Sequence, residues 1–184
     1  PCVRDRVVQA AVRLVIEPIF ERVFALHSYG FRPGRGCKDA LREVDRLLKA
    51  GYTHIVDADL KAYFDSIPHS PLLADIGQHI ADGRVLGVLE GFLKQDILEG
   101  LAQWTPEEGS PQGAVISPLL ANLYLHPVDV AMAEGGFEMI RYADDLVVLC
   151  RSKADAQRAL DLLGQQVRGR GIRLHPEKTR LVDI

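Results

Sequence analysis

Three cysteines in 184 residues, Cys2, Cys37 and Cys150, are too few and too widely spaced for a disulfide framework, and no C-x-x-C pair offers a zinc site. Free thiols buried in a reducing cytoplasm, that of a bacterium, are the expectation. A basic excess is also missing: 22 Lys and Arg stand against 25 Asp and Glu, a formal net charge of −3, which argues mildly against a surface built to neutralise phosphates. The objection weakens if the site is itself made of carboxylates. The uncharged stretch from Gly109 to Val128 has the length of a membrane span. It contains Pro111, Gln112, Pro118, Asn122, His126 and Pro127, whose polar groups and broken helical bonds are costly in lipid, so no membrane span is expected. No segment has the form of a signal peptide, and a chain opening on Pro1 reads as an excerpt of a longer protein. What is present, 47% apolar and 26% charged residues, suits one ordinary globular domain with a core.

Apolar residues from Val7 to Val15 recur at helical spacing, and Pro18 is expected to end or kink that helix. The turn-rich segment Ser28 to Gly36 leads to an amphipathic stripe through Ala40, Leu41, Val44, Leu47 and Leu48. Thr53 to Leu60 is strand-like, and two helices follow, a short one after Ser70-Pro71 and a longer one from Val85 to Ile97. Gly100 to Gly109 reads as a loop. Ser117-Pro118 opens a further helix, which Pro127 is expected to kink. A hairpin follows Gly135-Gly136, then a helix over Ala154 to Val167 and an extended piece from Ile172 to Val182 broken at Pro176. From Thr53 onward, helical insertions aside, the order is strand, helix, hairpin, helix, strand, a split βαβ unit.

Tyr142-Ala143-Asp144-Asp145 lies between the two apolar runs of the hairpin, and paired acids at a turn are either solvated decoration or a place to hold divalent cations. A second acidic strand end, Asp57-Ala58-Asp59-Leu60, tips the balance. A right-handed crossover sets the first two strands parallel, and the hairpin returns the third antiparallel between them. The carboxyl end of the first strand then meets the hairpin turn, bringing Asp59 to Asp144 and Asp145. Each acid alone is more often a solvated strand end, but three at one edge reverse that preference. Carboxylates converging from separate elements are what two-metal phosphoryl transfer needs.

Other features are weaker on their own. Tyr63 and Phe64 just beyond the first strand suit core anchors, and the Gly109-Ser110-Pro111-Gln112-Gly113 loop could approach a nucleotide or be an ordinary turn. Arg32, Arg35, Arg141, Arg151, Lys178 and Arg180 are scattered basics, each more often solvated than phosphate-bound.

Five stretches in series, SYGFRPG from Ser28, DADLKAYFDSI from Asp57, GSPQGAVISPLLANLYL from Gly109, RYADDLVV from Arg141 and GIRLHPEKTRL from Gly171, resemble the reverse transcriptases of group II introns and their bacterial relatives. The resemblance implies an α+β fold: a right-hand polymerase palm, an antiparallel ferredoxin-like sheet with helices on one face, plus helical fingers elements. It implies one fingers and palm core over 1–184, lacking the N-terminal fingers segment and the thumb. Asp59, Asp144 and Asp145 become the catalytic, metal-binding carboxylates for two Mg²⁺ ions, which Mn²⁺ can replace, with the Leu60 carbonyl as a further ligand. The amides of Ala62 and Tyr63 face the triphosphate, Phe64 lies under the sugar, Gln112 lines the nucleotide pocket, and Lys178 matches a lysine linked to pyrophosphate departure. The partners implied are an RNA template, a DNA primer, deoxynucleoside triphosphates and intron RNA.

Two relatives of that chemistry fit less well. Viral RNA polymerases would lead one to expect a Gly-Asp-Asp turn and an acid where Phe64 stands, and a nucleotidyl cyclase has no use for the SPQG loop. An RNA-binding maturase or scaffold with a dead site, and the reverse transcriptase of a CRISPR adaptation system, stay open as alternatives.

Overall fold

The computed structural model describes residues 2–99, 102–111 and 113–184, and the chain divides into two compact units. One unit comprises Pro1–Val23 and Ala62–Tyr124, the other Phe24–Lys61 and Leu125–Ile184.

The first unit is mainly helical. Helix α1 (Val3–Phe20) buries Gln9, Ile16 and Phe20, while Val7, Leu14 and Val15 of the apolar stripe stay exposed. The Gln9 carboxamide explains the facing, because it accepts a hydrogen bond from the Val115 amide at 2.9 Å and turns that side of the helix inward. Pro18 does not end the helix as expected. The helix runs two residues further to Phe20, and beyond it the Glu21 amide still bonds the Glu17 carbonyl at 2.9 Å. A 3₁₀ turn (Tyr63–Ser66) leads to α3 (His69–Gly77) and α4 (Gly83–Leu93), the latter capped by Asp82, whose carboxylate accepts from the Arg84 amide at 2.8 Å. Two expectations fail just beyond. Ile97 belongs to a short strand, β2 (Ile97–Glu99), rather than to the helix, and it pairs antiparallel with β3 (Ala102–Trp104) inside the expected loop. What helical periodicity could not reveal is the backbone pairing of Ile97 with Trp104 across the two strands.

Helix α5 (Ser117–Glu134) begins in the first unit and ends in the second, and it is assigned without interruption through Pro127. Among the described residues no helix is long and apolar enough to cross a membrane.

The second unit is built on a four-stranded antiparallel sheet in the order β4 (Glu138–Tyr142), β5 (Asp145–Cys150), β1 (His54–Asp59), β6 (Arg180–Asp183). The third strand of the split βαβ unit does return between the first two, as the crossover rule requires. Successive side chains alternate between faces. Ile140, Val147 and Leu149 point to one side and pack with Ala40, Val44 and Leu47 of α2 (Cys37–Lys49). Arg141 points to the other, where it meets Asp129 of α5. Helix α6 (Lys153–Gly169) buries Ala156, Ala159, Leu163 and Val167, and its cap Ser152 accepts from the Asp155 amide at 3.1 Å. The final extended piece is shorter than expected. Only Arg180–Asp183 forms a strand, while Leu174 makes an isolated bridge to Leu60.

Of the three thiols only Cys150 is buried; Cys2 and Cys37 are exposed, against expectation, because they stand at the N-terminal ends of surface helices.

Candidate active site

The register of the sheet decides which acids meet. β1 and β5 pair so that Asp59 lies opposite Asp145, and Tyr142 pairs with Asp145 across the β4–β5 loop. Asp144 is the second residue of that two-residue loop, so three carboxylates converge at one end of the sheet. Asp57 is two residues back on the same face of β1 as Asp59.

The segment before β6 adds two cations to this edge. The His175 amide donates to the Asp59 carbonyl at 2.7 Å and the Lys61 amide to the Arg173 carbonyl at 2.9 Å, which ties residues 173–175 alongside the end of β1. These bonds use the Asp59 and Arg173 carbonyls rather than that of Leu60, whose side chain is buried. Three residues beyond His175, the chain has turned enough for Lys178 Nζ to sit 2.8 Å from Asp59 Oδ2, and Arg180 Nε reaches Asp57 Oδ2 at 3.0 Å. Burial pushes the Asp145 carboxyl above its ordinary range, and the neighbouring Asp144 and Asp59 carboxylates add to the rise, while Lys178 opposes it. Asp145 as a residue is exposed, so water screens these effects and keeps their contribution to stability small. The hydrogen bond that Lys178 donates to Asp59 and the surrounding acids raise the Lys178 ammonium correspondingly.

The residues expected on the nucleotide side belong to the other unit. Ala62 is exposed and has a positive φ of 48°, which turns the chain out of the strand direction. Tyr63 is a core anchor, 3% exposed, with its hydroxyl donating to the Ala121 carbonyl at 2.5 Å. Phe64 is half-buried, its ring edge-on to Tyr63 at 5.7 Å between centroids. Gln112 lies outside the described residues. The loop before it is stitched to the Phe64 segment: the Ser110 amide donates to the Phe64 carbonyl at 2.7 Å, and the Gly109 amide to the Ile67 carbonyl at 2.8 Å. Gly109 has φ 90°, and a Cβ there would stand 3.1 Å from the Asp65 carbonyl oxygen, so this close approach needs glycine. His69 Nε2 donates to the Gly109 carbonyl at 2.7 Å, a contact no sequence signal announced.

The scattered basics are mostly committed to structure. Arg32 is buried, donates to the Ala25 and Ser28 carbonyls and lies over the Phe24 ring. Arg35 bonds the Leu26 carbonyl and stacks on Tyr29, and Arg151 stacks on Tyr52 at 4.3 Å. Arg141, expected in solvent, is 1% exposed and paired with Asp129. A solvated prior fails for Arg32 and Arg141 because carbonyls and a carboxylate inside the fold replace their water.

The chain belongs to the reverse transcriptase (RNA-dependent DNA polymerase) family, whose model matches residues 1–183. It is 40% identical over 129 residues to the group II intron-encoded protein LtrA of Lactococcus lactis subsp. cremoris, covering 70% of this chain and 21% of that protein. The chain spans between about a sixth and about a third of the length of the first curated relatives it matches. Among solved structures, apo telomerase from Candida tropicalis superposes with a TM-score of 0.75 at 13% identity, over 95% of this chain and 37% of that one, a likeness of fold. A Cas6-RT-Cas1–Cas2 complex matches with a TM-score of 0.51 at 29% identity, over 91% of this chain and 30% of that one. The fold is that of a reverse transcriptase.

The donor set at the sheet end fits a divalent cation. Carboxylate oxygens are the hard ligands such ions take, and burial together with the neighbouring Asp144 and Asp59 charges, which raise the Asp145 carboxyl, favours a cation beside it. Among the described residues no three His, Cys, Asp or Glu side chains are gathered closely enough to hold an ion as they stand. Lys178 is the cation that Asp59 engages.

Proposed function

We propose that this chain is the catalytic core of an RNA-directed DNA polymerase of the group II intron type, a fingers and palm portion of a longer protein. The observation that carries the reading is the register that sets Asp59 opposite Asp145 with Asp144 beside it on the turn. The 40% identity to a group II intron-encoded protein supports the family assignment of the activity.

In this reading Asp59, Asp144 and Asp145 hold two Mg²⁺ ions or Mn²⁺ in their place, with the Leu60 carbonyl as a further oxygen. Bound there, the ions supply Lewis acidity at the primer hydroxyl and at the triphosphate. The chain's own part is positioning and electrostatics. The amides of Ala62 and Tyr63 receive the triphosphate, Phe64 borders the sugar, and Gln112 borders the base. Lys178, which lies 2.8 Å from Asp59, is the cation placed to meet a leaving pyrophosphate. Template, primer and nucleotide are RNA, DNA and deoxynucleoside triphosphates, and the intron RNA of the parent element is a further partner.

The test is Asp144→Asn in the full-length protein, assayed by primer extension on an RNA template. The amide keeps the size of the side chain and removes its charge. Loss of extension with an unchanged circular dichroism spectrum is expected, and near wild-type extension would refute the assignment. The likeness to the Cas6-RT-Cas1–Cas2 complex favours a second setting for the same chemistry, a CRISPR adaptation system, which the genes flanking the coding sequence decide.

A further inference from the structure

The loop that carries Asp144 is strained and braced. Ala143, its first residue, has φ 59°, the left-handed conformation a primed hairpin turn demands at that position and glycine normally supplies. Strain of this kind persists only where the surroundings over-determine it.

Two contacts do so. The backbone of Gly30 lies directly against the loop, so close that a Cβ built there would be 2.2 Å from the Ala143 nitrogen. The approach is held by the Tyr29 amide bonding the Arg141 carbonyl and the Arg141 amide bonding the His27 carbonyl, both at 2.9 Å. On the other side chain face the Arg141 guanidinium, 1% exposed, spends Nε and Nη2 on both oxygens of Asp129, at 2.7 and 2.6 Å, and Nη1 on the Ala143 carbonyl at 3.0 Å. Asp129 is itself buried on α5. A buried ion pair is a poor source of stability, since apolar side chains of equal volume fill such space without the desolvation cost. What apolar side chains cannot supply is a donor aimed at the carbonyl of the residue immediately before Asp144.

We propose that Arg141, oriented by Asp129, is a positioning residue whose bond to the Ala143 carbonyl fixes the Asp144-Asp145 turn for cation and substrate. The inference rests on the role given to those acids above. Asp129 fixes the fork of Arg141, Arg141 fixes the Ala143 carbonyl, and the peptide it fixes sets the direction of Asp144.

The experiment compares full-length wild type with Arg141→Lys, which keeps a charge for Asp129 but has one nitrogen in place of the planar fork whose three nitrogens reach Asp129 and the Ala143 carbonyl. Mn²⁺ binding is followed by electron paramagnetic resonance titration and extension by single-nucleotide kinetics. A folded variant with Mn²⁺ bound about tenfold more weakly, and kcat down on the order of a hundredfold at unchanged KM for the nucleotide, is expected for a displaced turn. Wild-type Mn²⁺ affinity and kcat in folded Arg141→Lys overturn the proposal. Should that variant not fold, the double variant Asp129→Leu, Arg141→Met removes both charges and is read the same way; failure of both to fold assigns the pair to stability and also overturns it. Asp144→Asn runs alongside. If it binds Mn²⁺ and extends primer like wild type, the fault lies with the assigned acids rather than with Arg141.

Discussion

Gly30→Ala tests most directly whether the hairpin turn is set by what packs behind it. The added Cβ would sit 2.2 Å from the Ala143 nitrogen, 2.9 Å from its Cα and 2.9 Å from the Tyr142 carbonyl carbon, all backbone atoms that no side-chain rotation can withdraw. Ordinary contact requires that the turn and the loop separate by roughly 1 Å, which is overpacking of a closely fitted interior and costs about 1–3 kcal/mol. The same displacement moves the peptide that carries Asp144, and misplacement on that scale costs about a hundredfold in rate. Gly34→Ala is the control. Gly34 has φ 70° but nothing within 4 Å of its Cβ position, so it incurs backbone strain of about 1 kcal/mol without moving the site. Urea unfolding measures the first quantity and single-turnover extension at saturating nucleotide the second. Gly30→Ala is expected to lose both stability and rate, Gly34→Ala stability alone. A Gly30→Ala protein that extends primer at the wild-type rate would refute the idea that this contact sets the acids.

The raised pKa of Asp145 has a sign that can be measured. A carboxyl whose folded pKa lies above its unfolded value favours the fold below the unfolded pKa and loses that contribution as pH rises through the folded one. In chelator, Asp145→Asn is therefore expected to melt slightly higher than wild type at about pH 7, with the gap closing towards about pH 4; equal melting temperatures throughout would contradict a carboxylate disfavoured by burial and by its acidic neighbours. Phe64→Val is expected to admit ribonucleotides more readily relative to deoxyribonucleotides if the half-buried ring borders the sugar, whereas a purely structural ring predicts equal losses with both in competition assays. Burial pushes the Cys150 thiol up to about 11, so a thiol reagent at neutral pH is expected to label the exposed Cys2 and Cys37 rapidly and Cys150 only on unfolding. Rapid labelling of Cys150 in the native protein would show that β5 is open.

The acids themselves were legible before any coordinates. Strand-like residues from Thr53, the hairpin after Gly135-Gly136 and the handedness of the crossover suffice to bring Asp59 to Asp144 and Asp145, because period and chirality are local rules that the chain cannot easily evade. Where local signals competed with long-range ones, the reading went astray. Pro18, expected to end or kink its helix, does not end it; Ile97 fitted a helix period and found a strand partner instead.

Side-chain partnership was wholly a tertiary matter. Arg141 and Asp129 are twelve residues apart on different elements, and nothing in the composition around either says that one will neutralise the other out of water. Gly30 stood in a motif full of turn residues, with no sign that its missing Cβ would be filled by the peptide of Ala143. Lys178 was readable as a basic residue near the end of the chain, but its place on Asp59 depends on the bonds that draw residues 173–175 along β1. Sequence by itself determined which residue types stand at the end of which element, since that follows from local propensity and spacing. Only the folded structure decided which groups touch, because contact distance and desolvation depend on how separate elements pack, and no local rule contains that information.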